Sequence, residues 1–366
     1  MSSRRAFVLA VLLLASPLVL AAQRPAGDPV ALAKEGKAAL DDHRYADALD
    51  AFTAASKLVP SDSSLCVAAG VAAFMLGQST DAEQWFTRAL KIRPRDVNAL
   101  EWLGMVQYRE GHVSDAIATY EAALKQAPDD KDLQDRLESW RKDAQVEDSS
   151  YKANGAHFTV LFHGASDDAL ARRVVDRLET EYFRIGAALN AYPERPITVV
   201  LYTDQQFRDV TRLPNWAGGA YDGRIRVPAQ GLEDHPDEAG RVLAHEFVHA
   251  VVAMLGGRSV PTWLNEGLAV TFEQDGTEQA EQVLAATTER PSLKQLHASF
   301  STMTGAQARV AYALSAHAVH RIIELRGASA VVMLLQAINR GVPFSTAFYQ
   351  CVAMPYDDFQ ALIARD

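Results

Sequence analysis

Cysteine is nearly absent, with Cys66 and Cys351 the only two in 366 residues. They lie far apart in sequence and read as small buried thiols, so no disulfide framework is expected. Clusters of Lys and Arg are also missing, and the net charge is -10. Nucleic acid is therefore excluded as a partner, because neutralising phosphates needs grouped cations. Apolar runs near membrane-spanning length are missing too, except for a marginal one at the start of the chain. The rest, 48% apolar and 22% charged, is the composition of a globular protein, with length for two domains or one large one.

The exceptional run is Ala6 to Ala22, broken only by Ser16 and Pro17 and preceded by Arg4 and Arg5. Seventeen residues are marginal for crossing ~30 Å of hydrocarbon. A short positive region, an apolar core and small residues at Ala21 and Ala22 instead match a cleaved signal peptide over residues 1–22. Ser3-Arg4-Arg5-Ala6-Phe7-Val8 also has the look of a twin-arginine signal, although so apolar a core suits the general secretory route better. The expectation is export to the periplasm or the medium, with no stable membrane span after cleavage. Removing Arg4 and Arg5 would take the net charge from -10 to -12.

A fixed period of 34 residues follows. Pro60, Pro94 and Pro128 carry it, as do Gly36, Gly70 and Gly104, and Asp47, Asp81 and Asp115. So do Ala48, Ala82 and Ala116, then Phe52, Phe86 and Tyr120, then Ala55, Ala89 and Ala123. Each unit reads as two helices, with small residues where helices approach closely, an aromatic filling the space, and a proline closing the second helix. Residues 29–130 resemble three tetratricopeptide repeats, although Leu32, Cys66 and Leu100 stand where the family has an aromatic in its first helix. The resemblance implies an α-helical solenoid whose concave face binds a protein partner or the substrate. A rigid spacer is the plainer alternative. Leu133 and Leu137 lie at helical spacing among charges, so residues 131–147 are expected to be a capping helix running into a linker.

Beyond the polar stretch Gln145 to Gly155 the texture changes, and residues 150–366 form a second domain. His157–His163 and Ile197–Tyr202 read as strands, Gly219–Val227 as a third strand or hairpin, and Asp167–Asn190 as a helix between them. Helices dominate afterwards, which predicts an α+β fold.

His245-Glu246-Phe247-Val248-His249 is an H-E-x-x-H motif inside the helical stretch Asp237 to Leu255. Residues four apart share one helix face, so two imidazoles can reach one cation while Glu246, one position on, stands beside it as a general base. A chance copy occurs in roughly one or two of a hundred chains this long. Here Gly256-Gly257 ends the helix, and Trp263-Leu264-Asn265-Glu266-Gly267-Leu268-Ala269 follows on the next one. A short turn would bring Glu266 opposite the histidines. Three protein ligands and one open position are the pattern of a catalytic zinc site.

The combination resembles the gluzincin peptidases, in particular domains related to aminopeptidase N, over about residues 215–275. It implies an α+β zincin-like metallopeptidase domain, with Zn2+ on His245, His249 and Glu266 and with Glu246 as base. Peptide bonds would be hydrolysed by metal-activated water. The G-x-M-E-N segment that holds a free amino terminus in aminopeptidases is absent, so exopeptidase action is not supported. The Asp found four residues after the ligand Glu in thermolysin-type enzymes is replaced by Val270. Tyr312, at a family-like distance from Glu266, is the candidate oxyanion donor, with His317 and His320 as others. Tyr221 is a candidate cleft residue beside an extended substrate, and Glu273 either orients a histidine or is a solvated charge. Two alternatives stay open: a repeat scaffold with an inactive peptidase-like domain, and zinc-dependent hydrolysis of something other than a peptide.

Overall fold

A computed structural model of the chain describes residues 27–164, 167–211, 218–234 and 236–366. The expected signal segment, 1–22, lies outside them. The repeats are helix pairs α1 (Pro29–Asp41) and α2 (Tyr45–Leu58), α3 (Ser63–Met75) and α4 (Ser79–Ile92), and α5 (Val97–Arg109) and α6 (Val113–Leu124). The periodic glycines explain the packing within each pair. A Cβ added at Gly36, Gly70 or Gly104 would stand 2.9, 2.6 or 2.4 Å from a ring carbon of Phe52, Phe86 or Tyr120. The six alanines of the repeating columns are fully buried. Asp62, Asp96 and Asp130 each cap the helix that follows, their carboxylates accepting from backbone N–H groups one turn in.

The capping segment departs from expectation at its end. Helix α7 (Lys131–Asp148) runs through Gln145–Asp148, where a linker was expected, and β1 (Tyr151–Asn154) starts after two residues. Polar composition hid the reason. Val146 is buried against Leu161, Val200, Tyr202 and Phe207, so the tail of α7 is clamped onto the sheet rather than left to water. Leu133 and Leu137 close the apolar end of the repeats around Trp140.

The second region opens with β2 (Phe158–Phe162), α8 (Asp168–Leu189), β3 (Ile197–Tyr202), α9 (Asp204–Thr211), β4 (Ala220–Tyr221) and β5 (Ile225–Pro228). The sheet order is β1-β2-β3-β5-β4. Its centre, β2-β3-β5, is parallel, and β1 and β4 pair antiparallel at the two edges. Alternation fixes the faces. Ile197, Val199 and Leu201 point to the main core, while Val200 and Tyr202 point to α7 and α9.

Helices follow: α10 (Ala229–Asp234), α11 (Pro236–Gly256), α12 (Thr262–Phe272), α13 (Gly276–Ala285), α14 (Gly305–Arg326), α15 (Ala328–Asn339), α16 (Phe344–Val352) and α17 (Tyr356–Ile363). Helix α11 packs Leu243, Phe247, Val248 and Val251 into the main core. It ends at Gly257, where φ is +64°, a conformation glycine adopts without strain. Helices α12 and α14 touch at Gly267, where a Cβ would stand 2.3 Å from the Ser315 carbonyl oxygen. Among the described residues no single helix is long and apolar enough to cross a membrane.

Repeats and sheet meet through a buried polar network. Asp143 of α7, wholly buried, accepts hydrogen bonds from the hydroxyls of Tyr108 and Tyr202, each at 2.5 Å. Arg226 of β5 donates to its two oxygens at 2.8 and 3.0 Å. Arg224 pairs with Glu147 beside it. Burial disfavours the Asp143 charge, but Arg226 and the tyrosines outweigh burial and hold its carboxyl below the usual range.

Candidate metal centre

His245 and His249 sit one turn apart on α11, and the short connection 257–261 turns α12 back across them. Glu266 is thereby brought between the imidazoles. Its Oε2 lies 3.4 Å from the Nε2 of His245 and 3.4 Å from the Nε2 of His249. Ligand atoms from all three residues fall within 4.8 Å of one another. Tetrahedral coordination with bonds of about 2.0–2.1 Å places neighbouring ligand atoms about 3.3–3.4 Å apart, so the spacing fits such an ion.

The far side of each ring is tied down. Nδ1 of His245 donates to Glu273 at 2.7 Å, and Nδ1 of His249 donates to the Asn265 side-chain oxygen at 3.0 Å. With Nδ1 as the donor, the neutral ring leaves the Nε2 lone pair facing Glu266. Glu273 is thus an orienting partner rather than a solvated charge. Asn265 went unrecognised in the sequence because nothing in its own residue type separates a helix-face amide from a ligand's neighbour.

The electrostatics call for a cation at the same point. Burial opposes charge on both histidines, yet the carboxylates around them raise both, His245 furthest. Burial also opposes charge on Glu266, yet the two histidines drive its carboxyl far below the usual range. Glu266 Oε2 and Glu246 Oε2 are buried without a hydrogen-bond partner among the described residues. Two imidazoles and a carboxylate with such an orphaned oxygen form a fitting donor set for a divalent metal.

Glu246 is 4% exposed, with burial and the neighbouring carboxylates raising its carboxyl against the pull of the histidines. It lies hard against the residue leading into β4, since a Cβ at Gly219 would stand 2.5 Å from its Oε1. Tyr312 of α14 sets its ring edge-on to His245, centroids 6.1 Å apart, and Phe300 braces it from another side. Burial and the three carboxylates of the site push its phenol upward, so it stays protonated. The other two oxyanion candidates point elsewhere: His317 faces Asp366 and His320 faces Glu324. Tyr221, on β4, lines the cleft as expected.

That cleft has a volume of about 1570 Å³. One wall carries His245, Glu246 and Tyr312, and the other is made by the repeats and their cap, through Met105, Arg109 and Trp140. The repeats therefore line the same cleft as the centre.

Residues 180–359 match the family model of the Peptidase MA superfamily, and residues 33–97 and 77–139 match two tetratricopeptide-repeat models. The chain carries tetratricopeptide repeats followed by a peptidase MA superfamily domain. Among solved structures it is similar to the Arabidopsis OM64 TPR domain, with 23% identity over 31% of this chain and 95% of that one, TM-score 0.31. It is similar also to the first TPR of Spaghetti (RPAP3) bound to an HSP90 peptide, with 19% identity, coverage of 32% and 95%, and TM-score 0.31. The first TPR domain of human RPAP3 gives 19% identity, coverage of 35% and 100%, and TM-score 0.33. No curated protein matches the chain.

Proposed function

We propose that this protein is an exported zinc metallopeptidase of the gluzincin kind, hydrolysing peptide bonds in chains held between its repeats and its edge strand. The observation that carries the reading is the placement of Glu266 Oε2 at 3.4 Å from both histidine Nε2 atoms, with Glu246 buried alongside. Export rests on the signal-like residues 1–22, and zinc on the donor set His245, His249 and Glu266 together with the peptidase MA family match.

When bound, zinc supplies Lewis-acid polarisation and makes hydroxide available near neutral pH. The chain's own groups do the rest. Glu246 accepts the proton of the attacking water on its unpartnered Oε2 and returns it to the leaving amine. The Tyr312 hydroxyl donates to the oxygen that becomes negative in the tetrahedral transition state. Glu273 and Asn265 hold the imidazoles in one orientation, so the donor set needs no rearrangement. As the last strand of the sheet among the described residues, β4 offers backbone groups to an extended peptide, and Tyr221 belongs to it.

The test is hydrolysis of unfolded protein substrates by the zinc-loaded chain. Glu246→Gln should lower the rate by about 10²–10⁴-fold, the usual worth of a general base. A wild-type chain that cleaves no peptide after zinc loading would overturn the reading and leave a repeat scaffold.

A further inference from the structure

Peptide hydrolysis uses the part of the cleft around His245 and Glu246. Where the repeats meet the α11–α12 connection, the same cleft holds two cations with no assigned role. Arg109 ends α5, Arg258 follows Gly257, and both line the cleft beside Tyr221. Their guanidiniums share one aromatic ring: Arg258 lies 3.3 Å from the centroid of Phe74, and Arg109 lies 5.9 Å from it.

Neither arginine has an ion pair among the described residues. The nearby carboxylates are engaged elsewhere, Glu110 facing Arg195 at 3.8 Å and Asp222 pairing with Arg226 at 3.0 Å. Arg258 Nε is buried without a hydrogen-bond partner among the described residues. Burial, then the adjacent Arg109 charge, pushes Arg258 down to about 8. Two like charges half-withdrawn from water are costly, and a carboxylate between them would relieve the cost. The planar, forked donor pattern of guanidinium suits that anion better than it suits a neutral amide.

Position gives the pair its meaning. Gly219, which leads into β4, touches Glu246, and Tyr221 ends β4 two residues on. At about 3.3 Å per residue that is about 7 Å. A peptide paired with β4 would therefore present to the arginines whatever group lies about two residues from the bond beside Glu246.

We propose that Arg109 and Arg258 form a carboxylate subsite that selects substrates with an anionic group about two residues from the scissile bond. The word scissile rests on the peptidase reading, but the subsite itself does not require hydrolysis. The carboxylate has two sources. Antiparallel pairing with β4 brings an Asp or Glu side chain on the amino-terminal side of the bond, and parallel pairing brings the free carboxyl terminus of a short peptide. Because Arg109 belongs to the repeats, they form part of the specificity site.

The experiment uses the full-length, zinc-loaded Glu246→Gln variant and fluorescence anisotropy with three labelled pools of degenerate octapeptides. One pool has a fixed Glu and an amidated end, one a fixed Gln and an amidated end, and one a fixed Gln and a free carboxyl end. One acidic pool should bind about tenfold more tightly than the neutral pool, as expected for a charge-assisted contact in a cleft. Whichever acidic pool gains identifies the source. Arg258→Gln or Arg109→Gln should erase that advantage, and Arg258→Lys should keep part of it. No preference for either acidic pool overturns the subsite, as does a variant that weakens all three pools by the same factor. An acidic preference in a chain that never cleaves would sink the peptidase reading while leaving the subsite standing.

Discussion

Replacing Asp143 with Ala tests how the repeats are joined to the peptidase domain. Asp143 is fully buried and accepts four hydrogen bonds, one from each of Tyr108 and Tyr202 and two from Arg226. Arg226 is only 1% exposed, and its remaining carboxylate partner, Asp222, is 43% exposed. Removing one member of a buried pair costs about 3–5 kcal/mol, because the other charge is left in a low-dielectric site. Asp222 is too well solvated to restore much of this. Urea unfolding can be followed by tryptophan fluorescence, to which Trp140, stacked on Tyr108 at 4.4 Å, contributes. Arg226→Met should cost a similar amount. The double variant should lose less than the sum of the two, by up to about 3 kcal/mol. A loss below about 1 kcal/mol for Asp143→Ala, or strict additivity with Arg226→Met, would refute this account of the seam.

Acid should loosen the same seam within a defined window. The Asp143 carboxyl is held below its unfolded value of about 3.9. Its contribution is therefore complete above that pH and lost as the pH falls through the lower folded value. A loss of stability between pH 7 and 5 that Asp143→Asn removes would contradict this. Gly267→Ala would drive a Cβ to 2.3 Å from the Ser315 carbonyl oxygen, with backbone on both sides. It should cost about 1–3 kcal/mol in unfolding free energy, and an unchanged melting temperature would show that α12 and α14 can separate freely. Glu273→Ala should weaken zinc affinity by about 10–100-fold, since it removes the acceptor that holds the ring of His245. Equal affinity in a competition titration against a chelator would assign Glu273 no orienting role.

The parts legible in the sequence were those with short-range spacing. The 34-residue columns disclosed the helix pairs, because each glycine meets an aromatic sixteen residues on within its own unit. Two histidines four apart and a glutamate seventeen residues past the second one disclosed the centre, since only a helix, a turn and a helix intervene. The seam was illegible. The groups that hydrogen-bond to Asp143 lie 35 to 83 residues from it, and no local pattern marks a Tyr, Asp or Arg that will be buried. The end of α7 was misread for a related reason, as Val146 alone carries the apolar signal there and its partners come from later strands. Tyr312 was one of three plausible donors on its helix. Only the tertiary structure separates it from His317 and His320, which face carboxylates outside the cleft.

The most direct test of the central claim is the metal content of the purified full-length chain, measured by elemental analysis beside His249→Ala. The account predicts about one zinc per wild-type chain, held through dialysis, and close to none in the variant, because two remaining ligands cannot retain the ion. A wild-type chain that stays empty after zinc is supplied, or a variant that keeps the same zinc, would contradict it.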